Sequence, residues 1–275
     1  MLMVETTYHI PGAPRLALLA DLHGRPYDHI ISSLQAHRPS LVCVVGDILY
    51  GSHPQDDRSP LDTQENVLPF LTACAAIAPT FLSLGNHEWM LDEADLERIA
   101  ATGVVILDND YKTINIDGRK IVLAGLTSGY VTDYRRFVAT QDGKVRYPRK
   151  DTISGIGGAV TASQHVPDTD WLEDFTAASP GDAHILLSPH PEYWPDIKEK
   201  KIDLMLSGHA HGGQWAYYSF RRKRMCGVWC PGQGFLPRWT RGVYEGRLVV
   251  SAGLSNTARI PRICNPTEVV FIESP

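Results

Sequence analysis

The chain has 275 residues, 43% hydrophobic and 21% charged, values of an ordinary globular protein long enough to bury a substantial core. A formal net charge of −5 excludes a general nucleic-acid scaffold, which would present a basic surface. Five cysteines, few and odd in number, exclude a disulfide framework and make a reducing compartment the expectation.

The N-terminus, Met1-Leu2-Met3-Val4-Glu5-Thr6-Thr7, has no basic leader followed by a long apolar stretch. No window approaches 18 consecutive apolar residues, so no membrane span is expected and the location expected is cytoplasmic. Arg15–Ala20 is an apolar run that ends in Asp21-Leu22-His23-Gly24, a buried strand handing over to a polar loop. Asp28–His37 has the spacing of a helix stopped before Pro39. A second strand, Leu41–Val45, ends in Gly46-Asp47, and a helix is expected over Thr63–Ala78, kinked or delayed by Pro69. Thr80–Leu84 leads into Gly85-Asn86-His87-Glu88, and Asp92 caps a helix running to Ala101.

Short strands are expected at Val104–Leu107, Thr113–Ile116 and Lys120–Gly125, the last two joined by the Asp117-Gly118 turn. From Ser128 to Ala159 periodicity is lost, and an insertion or lid loop around residues 128–160 is expected, either functional or simply solvated. Asp168–Ala177 resembles a helix. Ala183–Leu187 then hands over to Ser188-Pro189-His190, and Asp203–Ser207 to Gly208-His209-Ala210-His211. Val243–Glu245, Arg247–Ser251 and Glu268–Ile272 read as strands, with Glu245-Gly246-Arg247 a tight hairpin. No repeat or composition shift demands a boundary, so residues 1–275 are expected to form a single domain. The alternation of strands and helices, closing in hairpins, suggests an α/β sandwich rather than a doubly wound sheet.

Five apolar strands therefore end in Asp, Asn or His. Ligand sites of α/β domains lie beyond the carboxyl ends of strands, so Asp21, His23, Asp47, Asn86, His87, His190, His209 and His211 are expected to converge. Two His at i and i+2, as at His209 and His211, cannot face the same way and can serve two different ions. The mixture of carboxylate, carboxamide and imidazole without thiolate suits Mn, Fe or Zn. Seven such donors exceed one tetrahedral ion and suit two cations sharing a bridge, a site that clamps the attacking and leaving oxygens of a phosphoryl displacement.

Asp21-Leu22-His23, Gly46-Asp47, Gly85-Asn86-His87-Glu88, Ser188-Pro189-His190 and Gly208-His209-Ala210-His211 resemble the five ordered motifs of the calcineurin-like metallophosphoesterases. The resemblance implies a four-layer α-β-β-α sandwich with mixed sheets. It also implies that Asp21, His23 and His211 hold one metal, that Asn86, His190 and His209 hold the other, and that Asp47 bridges them with a shared hydroxide. His87 would orient the phosphate and protonate the leaving oxygen; Glu88 stands where the family often has Asp, at a position that is not a ligand. A narrower resemblance, to a bacterial branch with phosphodiesterase-like and lipid-precursor pyrophosphatase-like members, rests on several segments. They are His209–Gln214, Arg241-Gly242-Val243-Tyr244, Ser251-Ala252-Gly253-Leu254 and Pro261–Glu268, with Ser255 where that branch has Gly.

The activity this implies is hydrolysis of a phosphodiester or pyrophosphate by a dinuclear metal enzyme. The alternatives are a phosphomonoesterase or nucleotide phosphodiesterase, or a non-catalytic metal-binding scaffold. The scaffold is disfavoured because every metal position is filled and His87 is present. His9, His29, His37, His53, His165 and His184 read as surface or locally bonded residues. Arg221-Arg222-Lys223-Arg224 lies among aromatic residues from Trp215 to Trp239, a composition that suits peripheral contact with an anionic membrane and also suits ordinary packing.

Overall fold

A computed structural model describes residues 3–50, 59–140, 167–177, 183–258 and 260–275. The first strands are β1 (Met3–His9), β2 (Leu16–Leu19), β3 (Leu41–Val45), β4 (Thr80–Ser83) and β5 (Val105–Leu107). They are followed by β6 (Asp110–Ile116), β7 (Arg119–Gly125), β8 (Ala183–Leu187) and β9 (Leu204–Ser207). Two short ribbons come next, β10 (Ala216–Ser219) with β11 (Arg224–Gly227), and β12 (Trp229–Cys230) with β13 (Gly234–Phe235). The chain closes with β14 (Gly242–Tyr244), β15 (Leu248–Val250) and β16 (Thr267–Glu273).

Two six-stranded mixed sheets result, in the orders β1-β16-β2-β3-β4-β5 and β14-β15-β9-β8-β7-β6. In the first, β2 to β5 run parallel, with Leu18 opposite Cys43 and Cys43 opposite Phe81. In the second, β7, β8, β9 and β15 run parallel, with Leu123 opposite Ile185. Parallel strands covered on both faces need apolar residues at every position, which is why these runs are continuous rather than alternating.

The period of two still sorts the side chains. Leu16, Leu18, Cys43 and Val45 enter a core shared with Ile121, Leu123, Ile185, Leu187, Leu204 and Leu206 of the other sheet. Ala17, Leu19, Val42 and Val44 point the opposite way, onto Ile30 and Leu34 of α1 (Asp28–His37) and Phe70, Leu71 and Cys74 of α3 (Val67–Ile77), the latter preceded by the short α2 (Pro60–Thr63). Ile99 of α4 (Glu93–Ala100) joins them. On the far side Val122, Ala124, Leu186 and Met205 pack against Leu172 and Phe175 of α6 (Leu172–Ala177) and Trp194 and Ile197 of α7 (Trp194–Ile197). The architecture is therefore helix, sheet, sheet, helix.

Pro69 delays its helix instead of kinking it. The helix starts at Val67, so Pro69 falls in the first turn, where a missing N–H costs nothing. Asp92 caps α4 by accepting from the Asp95 N–H at 2.9 Å. Asp117 and Gly118 both have positive φ, 51° and 77°, as do Glu245 and Gly246, 52° and 67°, the geometry of tight hairpin turns. The loss of pattern after Ser128 begins later than expected, because Gly129–Thr140 forms a helix, α5, whose first turn packs on residues 86–90. The expected loop beyond it, over residues 141–160, lies outside the described residues. The strand β1 and the two ribbons have no clear signal in the sequence. Cys43, Cys74, Cys226 and Cys230 are buried and unbridged, and Cys264 is exposed.

Candidate metal centre

The loops that follow β2, β3, β4, β8 and β9 meet at the carboxyl edge of the two sheets, and there the structure brings together seven of the eight residues singled out from the sequence; the eighth, Asn86, precedes His87 and has its Oδ1 buried. One group consists of Asp21, His23 and His211 and a second of His190, Glu192 and His209; His23, Asp47 and His87 form a third between them. Within each group the donor atoms lie within 4.8 Å of one another. Asp47 sits centrally: its Oδ2 is 3.4 Å from His209 Nδ1, and its Oδ1 accepts from the His87 backbone N–H at 3.0 Å.

The backbone is bent hard to achieve this. Asp21, His23, Asp47, His209 and His211 have φ of 59°, 51°, 53°, 62° and 46°. Left-handed conformations cost a non-glycine residue of order 1–3 kcal/mol, and they persist only where surrounding contacts hold them. Asp and His tolerate the region better than most residues. Those contacts are visible. The His209 N–H donates to both carboxylate oxygens of Asp21 (3.0 and 3.1 Å), and the Ser255 hydroxyl donates to the Asp21 carbonyl at 2.9 Å. Gly253, at φ +82°, abuts the same carboxylate, and a Cβ there would come within 2.6 Å of Oδ2. Asn265 Nδ2 donates to the His211 carbonyl (2.7 Å), and Arg262 reaches the Ala252 and Ser255 carbonyls and lies 3.0 Å from His211 Nδ1.

Several donors are left facing the interior of the site. His23 Nδ1–H donates to the Leu49 carbonyl at 2.8 Å, which leaves the Nε2 lone pair free, and that buried atom has no hydrogen-bond partner among the described residues. Asn86 Oδ1, His87 Nδ1, His209 Nε2 and Glu192 Oε2 are likewise buried without a partner. A buried lone pair left unmet is costly, and a cation meets it. The electrostatics show like charges crowded together: burial, followed by the charge of Asp47, pushes the Asp21 carboxyl up to about 7, a repulsion that a cation would relieve. Burial, then His87, pulls His23 down to about 3, which keeps its ring neutral as a metal ligand requires. His209 differs: burial would lower it, but the carboxylates of Asp47, Glu192 and Asp21 more than offset this and hold it at about 9, so its ring carries a proton that a bound cation would displace. The residues present therefore fit divalent cations.

Four further residues shape the site. Glu192, two positions after His190, is part-buried, with Oε1 3.3 Å from His190 Nδ1 and 4.0 Å from His209 Nε2. The Ser128 hydroxyl lies 2.8 Å from His190 Nε2, and Arg262 faces His211. Only the acid beside a His-Pro pair in His190-Pro191-Glu192 marks any of these three in the sequence. The fourth, Glu88, is fully buried and is no ligand. It accepts from the backbone N–H groups of Asp47 (2.8 Å), Leu49 (3.1 Å) and Gly85 (2.7 Å), tying the β3 and β4 loops together. Three donors left unmet cost about 1–3 kcal/mol each, so Glu88→Ala is expected to lose at least about 3 kcal/mol of stability. Urea unfolding checks this; a loss within 1 kcal/mol would show that the loops hold without it.

The remaining histidines are local. His9 lies against Glu273, His184 against Asp203, and His37 against Glu5 and the ring of Phe271. His29 is exposed on α1, and His53 and His165 fall outside the described residues.

A sandwich of two mixed sheets with oxygen and nitrogen donors gathered at one edge is the arrangement to compare with known metal-binding folds. Residues 14–213 match the family model described as calcineurin-like phosphoesterase, and the chain belongs to that family. It is 26% identical over 260 residues to an uncharacterised metallophosphoesterase of Campylobacter jejuni, and 24% identical over 271 residues to a protein of Caenorhabditis elegans also named as a metallophosphoesterase. These alignments take in 92% and 95% of this chain but 55% and 48% of the relatives, so the chain spans about half their length. Among solved structures it is similar to the sulfate thiohydrolase SoxB of Thermus thermophilus, with TM-score 0.51 and 14% identity over 90% of this chain and 54% of that one. That likeness concerns the fold.

Proposed function

We propose that the protein hydrolyses a phosphodiester or pyrophosphate at a dinuclear centre. Asp21, His23 and His211 would hold one divalent cation, Asn86, His190 and His209 the other, and Asp47 both. The observation that carries the reading is the meeting of five loop ends around buried, unpartnered donor atoms. A donor set of oxygen and nitrogen suits Mn, Fe or Zn. When bound, such cations neutralise phosphoryl oxygens and lower the pKa of a water toward ~7.

The chain's own residues do the rest. The backbone hydrogen bonds to Asp21 and Asp47 hold both carboxylates in fixed orientations. His87, packed edge-on against His23 at 4.6 Å between ring centroids, would orient the phosphate and hand a proton to the leaving oxygen. Glu192 accepts from His190 Nδ1–H and faces His209, which would set both rings for their ion. Glu192→Gln is expected to weaken cation binding about 10–100-fold, read by titration calorimetry with Mn²⁺; unchanged affinity would remove Glu192 from that role.

The test of function is hydrolysis of bis-p-nitrophenyl phosphate against p-nitrophenyl phosphate with added Mn²⁺, Fe²⁺ or Zn²⁺. Diester hydrolysis that exceeds monoester hydrolysis, and that a chelator abolishes, is the expected result. Monoester preference would favour a phosphomonoesterase, and inactivity with every metal would favour a binding scaffold.

A further inference from the structure

Apart from Tyr50, every large apolar side chain standing exposed among the described residues lies between Trp215 and Ile263. Phe220 is 87% exposed, Phe235 79% and Leu236 64%. They stand on the two ribbons β10–β11 and β12–β13. The Val228 N–H donates to the Trp215 carbonyl at 2.8 Å, and the Val228 carbonyl accepts from the Leu236 N–H at 2.8 Å, so one residue joins the ribbons. Tyr217 and Tyr218 are sequential and face opposite sides of β10, yet both are exposed. Tyr218 meets Phe220 edge-on at 5.3 Å, which makes an aromatic tip. Directly after Phe220 come Arg221, Arg222 and Lys223, all exposed.

The charge is one-sided. From Leu204 to Tyr244 there is no Asp or Glu but six Lys and Arg, in a chain whose net charge is −5. A two-stranded ribbon with apolar groups on both faces is marginal in water and gains by burial elsewhere. Arg238 and Arg241 are paired with Glu245 and Glu268, but aromatics protruding beside Arg221, Arg222 and Lys223, in a segment without an acid of its own, complement an anionic lipid interface, where rings sit at headgroup depth and cations meet phosphates.

We propose that the paired ribbons, Ala216–Gly227 and Trp229–Phe235, dock this protein on an anionic lipid surface, Phe220 entering the interface and Arg221, Arg222 and Lys223 resting on the headgroups. The ribbons stand on the metal loop itself. The His211–Gly213 turn runs through Gln214 and Trp215 into β10, and the Gly213 carbonyl accepts from the Val228 N–H at 3.2 Å. Gly213 also lies face to face with Gly227, so close that neither admits a side chain. Docking therefore sets the candidate centre beside the lipid surface. The contact itself does not depend on the proposed reaction.

Sedimentation with vesicles tests it. The full chain is expected to bind phosphatidylglycerol/phosphatidylcholine vesicles, more weakly as salt rises, and not to bind pure phosphatidylcholine. The triple variant Arg221→Glu, Arg222→Glu, Lys223→Glu is expected to weaken binding at least about 100-fold, and Phe220→Ser about tenfold without any change of charge. Phe220→Trp is expected to shift its emission to the blue on anionic vesicles only. Thermal midpoints and bis-p-nitrophenyl phosphate hydrolysis in solution are expected to match the parent, so a failure of docking is separable from a failure of catalysis. Absence of vesicle binding, or equal binding by the triple variant, would overturn the proposal. So would binding of a single-stranded oligonucleotide in place of vesicles, which would assign the face to nucleic acid.

Discussion

Asp47→Asn is expected to lower turnover by about 10³-fold or more and to leave less than the parent's complement of metal in the purified protein. Asp47 is the residue that the site is built around. One oxygen faces His209 at 3.4 Å, the other takes the His87 N–H at 3.0 Å, and the backbone N–H is held by Glu88 at 2.8 Å. The amide keeps the size but removes the charge and puts a donor against one of two donors. Several kcal/mol of transition-state stabilisation attributed to the cations depend on that charge, and each 1.36 kcal/mol is tenfold in rate. Elemental analysis with turnover on bis-p-nitrophenyl phosphate checks it; full metal content with full activity would deny Asp47 the bridging role.

His87→Ala has the second largest expected effect, and its signature is different. Metal content is expected to stay at the parent level, because the donors of both outer groups remain in place. Turnover of an alkyl phosphodiester, whose leaving oxygen must be protonated, is expected to fall about 10²–10⁴-fold. Turnover of bis-p-nitrophenyl phosphate is expected to fall far less, since p-nitrophenolate departs unprotonated. Equal losses on both substrates would make His87 a phosphate-orienting group alone, and loss of metal would make it a ligand.

The central strands are legible because their runs, Leu16–Leu19, Leu41–Val45, Ala183–Leu187 and Leu204–Ser207, are apolar at nearly every position, Thr80–Ser83 at half of them, and all stop at polar loops. The donors could be named for the same reason, each standing within a few residues of such a stop. The helix over Gly129–Thr140 was hidden because the patternless, Gly- and charge-rich run after it was read together with it, and β1 by Thr and Glu residues that belong to a half-buried edge strand. Glu88 and Glu192 show the same limit at the site. Each reads as a solvated acid beside a histidine, and only the contacts across the fold reveal one as a brace for three N–H groups and the other as the partner of two imidazoles.

By itself, then, the sequence determined which segments become strands, which of their ends carry ligand-type side chains, and which chemistry those types allow, because hydrophobic periodicity and donor identity are local properties. The tertiary structure alone decided how the donors divide into groups around Asp47, which ring nitrogens are left free, and that the aromatic ribbons after His211 stay exposed. Those depend on what packs against each face, and residues as far apart as Asp21 and Ser255 supply it.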